Sequence, residues 1–228
     1  MTERQRTQLS SRKKPQQARS SDLVAAILEA AIQVLSKEGA TRFTTTRVAE
    51  RAGVSVGSVY QYFPNKAAIL FRLQSDEWRE TTDLLRATLA DASRPPLERL
   101  RRLVHVFIAS ECEEAAMRVA LADAAPLYRD APEARSVRAA SKGILQAFMR
   151  ETLPDAKPAT RTLAGQLIKS TLSAVGQEFS ETPRGAREIT AWSDAMADMF
   201  AAYLVGLGHV PPAAAPARGR ARPARAKA

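Results

Sequence analysis

The side chains best suited to recognition chemistry crowd into residues 44–66, TTTRVAERAGVSVGSVYQYFPNK. The hydroxyls of Thr45, Thr46, Ser55, Ser58, Tyr60 and Tyr62, the amide of Gln61 and the ammonium of Lys66 are groups that bond phosphate oxygens and base edges. Val56 can meet a thymine methyl, and Gly57 beside Ser58 lets a backbone come close to a duplex. Groups for catalysis are sparse. Two histidines, His105 and His209, and one cysteine, Cys112, leave few metal or nucleophile constellations. No glycine-rich phosphate loop is present. Glu111, Glu113 and Glu114 read as a solvated acidic face whose charge disfavours a reactive thiolate at Cys112. The reading is recognition without catalysis, metal or cofactor.

The elements that must hold this cluster can be read from the same residues. Thr44 is a cap residue ahead of a short helix with Val48 and Ala49 on its buried side. Gly53 follows Ala52 where the chain must turn at positive φ. Ser55 caps a second helix, and Val54 and Val59 bracket that cap as a hydrophobic staple. Two short helices around a tight glycine turn make a helix-turn-helix, whose second helix enters a major groove by its N-terminal half. An earlier helix begins near Ser21, places Val24, Ile27, Leu28, Ala31, Val34 and Leu35 on one face, and ends at Gly39.

From Ile27 to Leu70 the chain resembles the N-terminal domain of TetR-family regulators. The residues that carry the resemblance are ILEAA, the glycine of SKEGA, Thr44 before RVAERAGVS, and GSVYQYFPNK with its Tyr60–x–Tyr62–Phe63–Pro64 run and Lys66. The resemblance implies DNA contact by Thr44, Thr45, Thr46, Ser55, Val56, Gly57, Ser58, Tyr60, Tyr62 and Lys66, with Gln61 beside them. Val56 and Gln61 depart from residues common at those positions, which alters the bases read.

The remainder reads as all-α, since apolar spacing is helical and prolines fall between the apolar stretches. Helices are expected after Asn65, after Pro96, around Met117, and over residues 133–151, 160–179 and 187–207, about nine in all with the N-terminal three. The domain plan is a basic arm (1–20), a helix-turn-helix domain (21–67), a helical regulatory and dimerisation domain (68–208) and a basic tail (209–228). The resemblance implies a ligand cavity, an unidentified small-molecule effector, a homodimer formed by the last two helices, and a palindromic double-stranded operator. Candidate ligand contacts are His105, Phe107, Met117, Tyr128, Phe148 and Trp192. Candidate dimer contacts are Leu167, Leu172, Val175, Phe179, Trp192, Met196, Met199, Phe200 and Tyr203.

The net charge of +10 resides in the ends: residues 1–20 hold six cations and one anion, and residues 209–228 hold five cations and no anion. Such arms suggest phosphate contact by counterion release. They also define the alternative, a DNA-binding or activating protein that relies on its tails and ignores sequence. No apolar run is long enough to span a bilayer and no secretory signal opens the chain, so the expected location is a bacterial cytoplasm, at the nucleoid, with no membrane partner.

Overall fold

The structure is a computed structural model that describes Leu9, residues 18–127 and residues 142–210. Among the described residues the chain forms nine α-helices and no strand. They are α1 (Ala18–Arg42), α2 (Thr45–Ala52), α3 (Val56–Tyr62), α4 (Lys66–Leu89), α5 (Pro96–Glu113), α6 (Ala115–Ala124), α7 (Lys142–Thr152), α8 (Pro158–Ser180) and α9 (Ala186–Gly206). Pro96 and Pro158 open α5 and α8, where a missing N–H costs nothing. α1 leaves helical geometry at Gly39 (φ 73°, ψ 172°), where its end is expected, and helical turns resume as far as Arg42. The helix expected from residue 133 is seen as α7 from Lys142; Tyr128 and the stretch up to residue 141 lie outside the described residues. So do the tail from Pro211 and the arm apart from Leu9 and residues 18–20.

Two apolar cores organise these helices. The first joins Ile27, Leu35, Phe43, Val48, Val59 and Phe63 from α1–α3 and their links with Ile69, Leu70 and Leu73 of α4. Leu9, ahead of α1, is buried in the same cluster. So are Ala120, Leu121 and Ala124 of α6, which therefore seals the N-terminal unit although it follows α5 in the chain. The second core joins Leu89 at the end of α4 with α5, α7, α8 and α9. α4 is the element common to both; its 24 residues span about 36 Å at 1.5 Å each.

Close packing of the second core depends on Gly176. A β-carbon there would lie 3.1 Å from both the Phe107 ring and Glu111 Cγ, so its absence lets α8 sit directly on α5. Arg99 is buried as a strut. It donates to the Leu89 carbonyl at 2.6 Å, pairs with Glu151, and lies 5.6 Å from the centre of the Phe148 ring.

Candidate nucleic-acid interface and effector cavity

The helix-turn-helix is built by three caps in succession. Thr44 Oγ1 accepts from Arg47 N at 3.2 Å, Ser55 Oγ from Ser58 N at 3.0 Å, and Asn65 Oδ1 from Ala68 N at 2.9 Å. Each satisfies an N–H that a helix start leaves open. Gly53 stands at φ 67°, ψ 30°, and the next amide, Val54 N–H, donates back to Ala49 O at 3.0 Å. That left-handed position ends α2 and aims α3 away from it. Val59 is fully buried and Val54 packs on the same core. Arg47 pairs with Glu38, which ties α2 to α1.

This scaffold sorts the residues named for DNA contact. Thr44, Thr46, Ser55, Gly57, Tyr60, Gln61 and Lys66 are exposed, and Val56 and Ser58 are half-buried. Thr45 and Tyr62 are buried, Tyr62 at 8% exposure. Thr45 Oγ1 is hydrogen-bonded to the Tyr60 hydroxyl at 3.2 Å, which fixes the Tyr60 ring against the start of α2. Tyr62 forms part of the apolar core, where its position on α3 faces inward with Val59. Lys66 stands at the first position of α4, beside its open N–H groups.

A cavity of about 410 Å³ lies between α4, α5, α6, α7 and α8. Its walls are mainly apolar and aromatic, with Trp78, Leu85, Leu103, Phe107 and Leu172 among them. Its polar lining includes Thr82, Lys169, Ser173 and Gln177 and an ion cluster. Arg118 Nη1 donates to Glu77 at 2.6 Å and to Glu111 at 2.7 Å, and Nη2 to Glu114 at 2.9 Å. Glu77 also receives Gln74 at 2.9 Å and Thr81 at 3.2 Å. Burial pushes the carboxyls of Glu77 and Glu111 above their ordinary range, against the opposing pull of Arg118.

Of the residues expected to line a cavity, Phe107 does. His105 lies on the outer side of α5, where Nε2 is 3.0 Å from Asp194 of α9. Met117 packs on the N-terminal core, and Phe148 is buried beneath Arg99. Trp192 is exposed and stacks on Phe179 with ring centres 4.7 Å apart. Glu111 is absent from that expectation because it was grouped with the solvated Glu113. It is 6% exposed and follows Phe107 by four residues and Ile108 by three, on the buried face of α5. Cys112 keeps a raised thiol pKa, by burial first and by Glu111, Glu188 and Glu113 to a smaller degree.

The last two long helices carry a third surface. Leu172, Phe179, Met196 and Phe200 are buried in the chain's own core, and Val175 and Tyr203 pack against it. The helical register that turns those residues inward turns others outward. Leu163, at 61% exposure, and Leu167 stand exposed on α8, with Trp192, Met199 and Val205 on α9. An exposed apolar face of this size suits another protein surface better than water.

Comparison with known proteins agrees with these features. Residues 27–73 match the family model for bacterial regulatory proteins of the tetR family, and residues 95–207 match that for the tetracyclin repressor-like C-terminal domain. The nucleoid occlusion factor SlmA of Vibrio campbellii is 38% identical over 85 residues, 36% of this chain and 42% of that protein. The HTH-type transcriptional regulator TtgR of Pseudomonas putida is 40% identical over 81 residues, 35% of this chain and 38% of that protein. The chain thus spans about two fifths of the length of these curated relatives. The fold is shared along nearly the whole length of the transcriptional regulator FadR from Bacillus subtilis, solved in complex with stearoyl-CoA. Its TM-score is 0.59 at 16% identity, covering 78% of this chain and 97% of that one. With both of its halves matched by models of the family, the chain belongs to the tetR family of bacterial regulatory proteins.

Proposed function

We propose that the chain is a sequence-specific DNA-binding transcriptional regulator, a homodimeric repressor that a small-molecule effector releases from its operator. The observation that carries this reading is the outward row of Ser55, Gly57, Tyr60 and Gln61 on a capped α3, flanked by Thr44, Thr46 and Lys66. Polar groups on a helix with small residues near its start suit entry into a major groove, while Lys66 and the N-terminus of α4 suit a phosphate. The exposed apolar side of α8 and α9 supports a two-fold pair. A pair presents two copies of α3 to successive grooves, so its operator is an inverted repeat.

The cavity supports the effector. It borders α4, which begins at Lys66 and ends in the second core, and α6, which is buried against the N-terminal unit. A ligand that fits one placement of α4 and α6 better than another shifts the spacing of the two α3 helices. It acts only to the extent of that preference. The reaction at this site is binding alone.

The test is selection of bound sequences from a random duplex pool at near-physiological salt. The reading expects enrichment of an inverted repeat with half-sites about one helical turn apart. Retention without enrichment would overturn it in favour of a tail-driven, sequence-indifferent protein.

A further inference from the structure

We infer that Thr45 is a positioning residue for DNA binding: it stays off the duplex and donates its proton to the Tyr60 hydroxyl, which leaves the Tyr60 proton for a backbone phosphate. This rests on the reading of α3 as the helix that enters a major groove. The two side chains come from different helices. Thr45 opens α2 and is buried at 9% exposure, while Tyr60 lies on α3 at 41% exposure. Their oxygens are 3.2 Å apart. A hydroxyl expected to reach DNA directly is thus turned into the protein, and its reach outward runs through Tyr60.

The direction of the hydrogen bond follows from where each hydroxyl stands. A hydroxyl has one proton to donate and two lone pairs that accept. Among the described residues, the Thr45 hydroxyl has Tyr60 as its single hydrogen-bond partner. If Tyr60 donated, the Thr45 proton would be buried without an acceptor, a costlier state than a spare lone pair. Thr45 therefore donates and Tyr60 accepts. The exposed Tyr60 then offers its own proton outward, to a group that only accepts. Phosphate oxygens are such a group.

Placement favours phosphate over a base edge as well. In a helix-turn-helix the first helix crosses the backbone of the duplex, and here that helix is α2. Tyr60 is tied to the start of α2, where Thr44 and Thr46 are exposed on either side of Thr45. Holding the ring before DNA arrives lowers the ordering cost of the contact. A bond accepted at the Tyr60 oxygen also polarises the O–H that it donates. A phosphate contact sets affinity and register without choosing sequence. Loss of the Thr45 hydroxyl should therefore weaken binding by the same factor on good and poor operators alike.

The experiment is a double-mutant cycle on the full-length protein, read by fluorescence anisotropy. The duplexes are the selected one and versions of it with single base-pair changes. Thr45→Val keeps the shape of the side chain and removes the hydroxyl; Thr45→Ala is the second variant should the first fail to fold, which thermal melting shows. Thr45→Val and Tyr60→Phe should each lower affinity at least about fivefold on every duplex, one hydrogen bond's worth. The double variant should bind no worse than Tyr60→Phe alone. Thr45→Ser, which restores the hydroxyl, should bind within about twofold of the wild type. Wild-type affinity in a folded Thr45→Val, additive losses in the double variant, no rescue by Thr45→Ser, or a loss confined to the selected duplex would overturn the proposal alone. A wild type without preference among the duplexes would overturn the reading of α3 and the proposal with it.

Discussion

Arg118→Met should destabilise the chain in a pH-dependent way. The variant leaves Glu77 and Glu111 buried in the cavity wall without their guanidinium. Removing one partner of a buried pair costs about 3–5 kcal/mol. Arg118 retains 18% side-chain exposure, so the lower end, about 3 kcal/mol, applies. For a chain of this length each kcal/mol moves the melting point by about 2–4 °C, giving a fall of about 6–12 °C at pH 8. The sign with pH follows from the carboxyls. Their folded pKa values are already raised, and losing Arg118 raises them further. A raised carboxyl contributes stability that is present at low pH and lost as pH rises through its folded value. As pH falls through their raised range the two groups take up protons, so the deficit is smaller at pH 5 than at pH 8. Thermal unfolding followed by circular dichroism at pH 5 and pH 8 reads both quantities. A fall under about 2 °C at pH 8, or an equal fall at both pH values, would refute the reasoning.

The same linkage predicts that Glu111→Gln, which removes a buried charge, raises the melting point at pH 8 and has less effect at pH 5. Gly53→Val forces a branched side chain into φ 67° and should cost about 1–2 kcal/mol and reduce duplex affinity, both measurable by melting and fluorescence anisotropy. Ser55→Ala removes the cap on α3 and should cost about 1 kcal/mol by denaturant titration. Leu163→Glu with Met199→Glu should give a monomer in sedimentation and lower affinity for an inverted repeat by more than about tenfold, because one half-site then binds alone.

Much of the fold was legible because its punctuation is local. Thr44, Ser55 and Asn65 cap their helices in the structure, and Gly53 adopts the positive φ its turn requires. Those signals act within four residues, which a sequence displays directly. What sequence could not display is which face of a helix a third element covers. Tyr62 carries a hydroxyl like Tyr60, yet two residues along α3 it turns into the core. Leu172, Phe179, Met196 and Phe200 form the same apolar stripe expected of an interface, but α5 packs against them and leaves Leu163, Leu167, Trp192 and Met199 outside. Glu111 was hidden by its acidic neighbours, although its spacing from Leu100, Leu103, Val104, Phe107 and Ile108 marks the buried face. α6 was read as part of the regulatory half, and its docking on the N-terminal core follows from tertiary packing alone.

The central claim is that α3 and the start of α4 read DNA sequence. Fluorescence anisotropy with the selected duplex and a scrambled one tests it most directly, comparing wild type with a Gln61→Ala, Lys66→Ala variant. Both side chains are exposed, so the fold is spared. The account predicts that the wild type prefers the selected duplex by at least about a thousandfold and that the variant loses most of that preference. Equal affinity of the wild type for both duplexes, or a preference that survives intact in the variant, would contradict it.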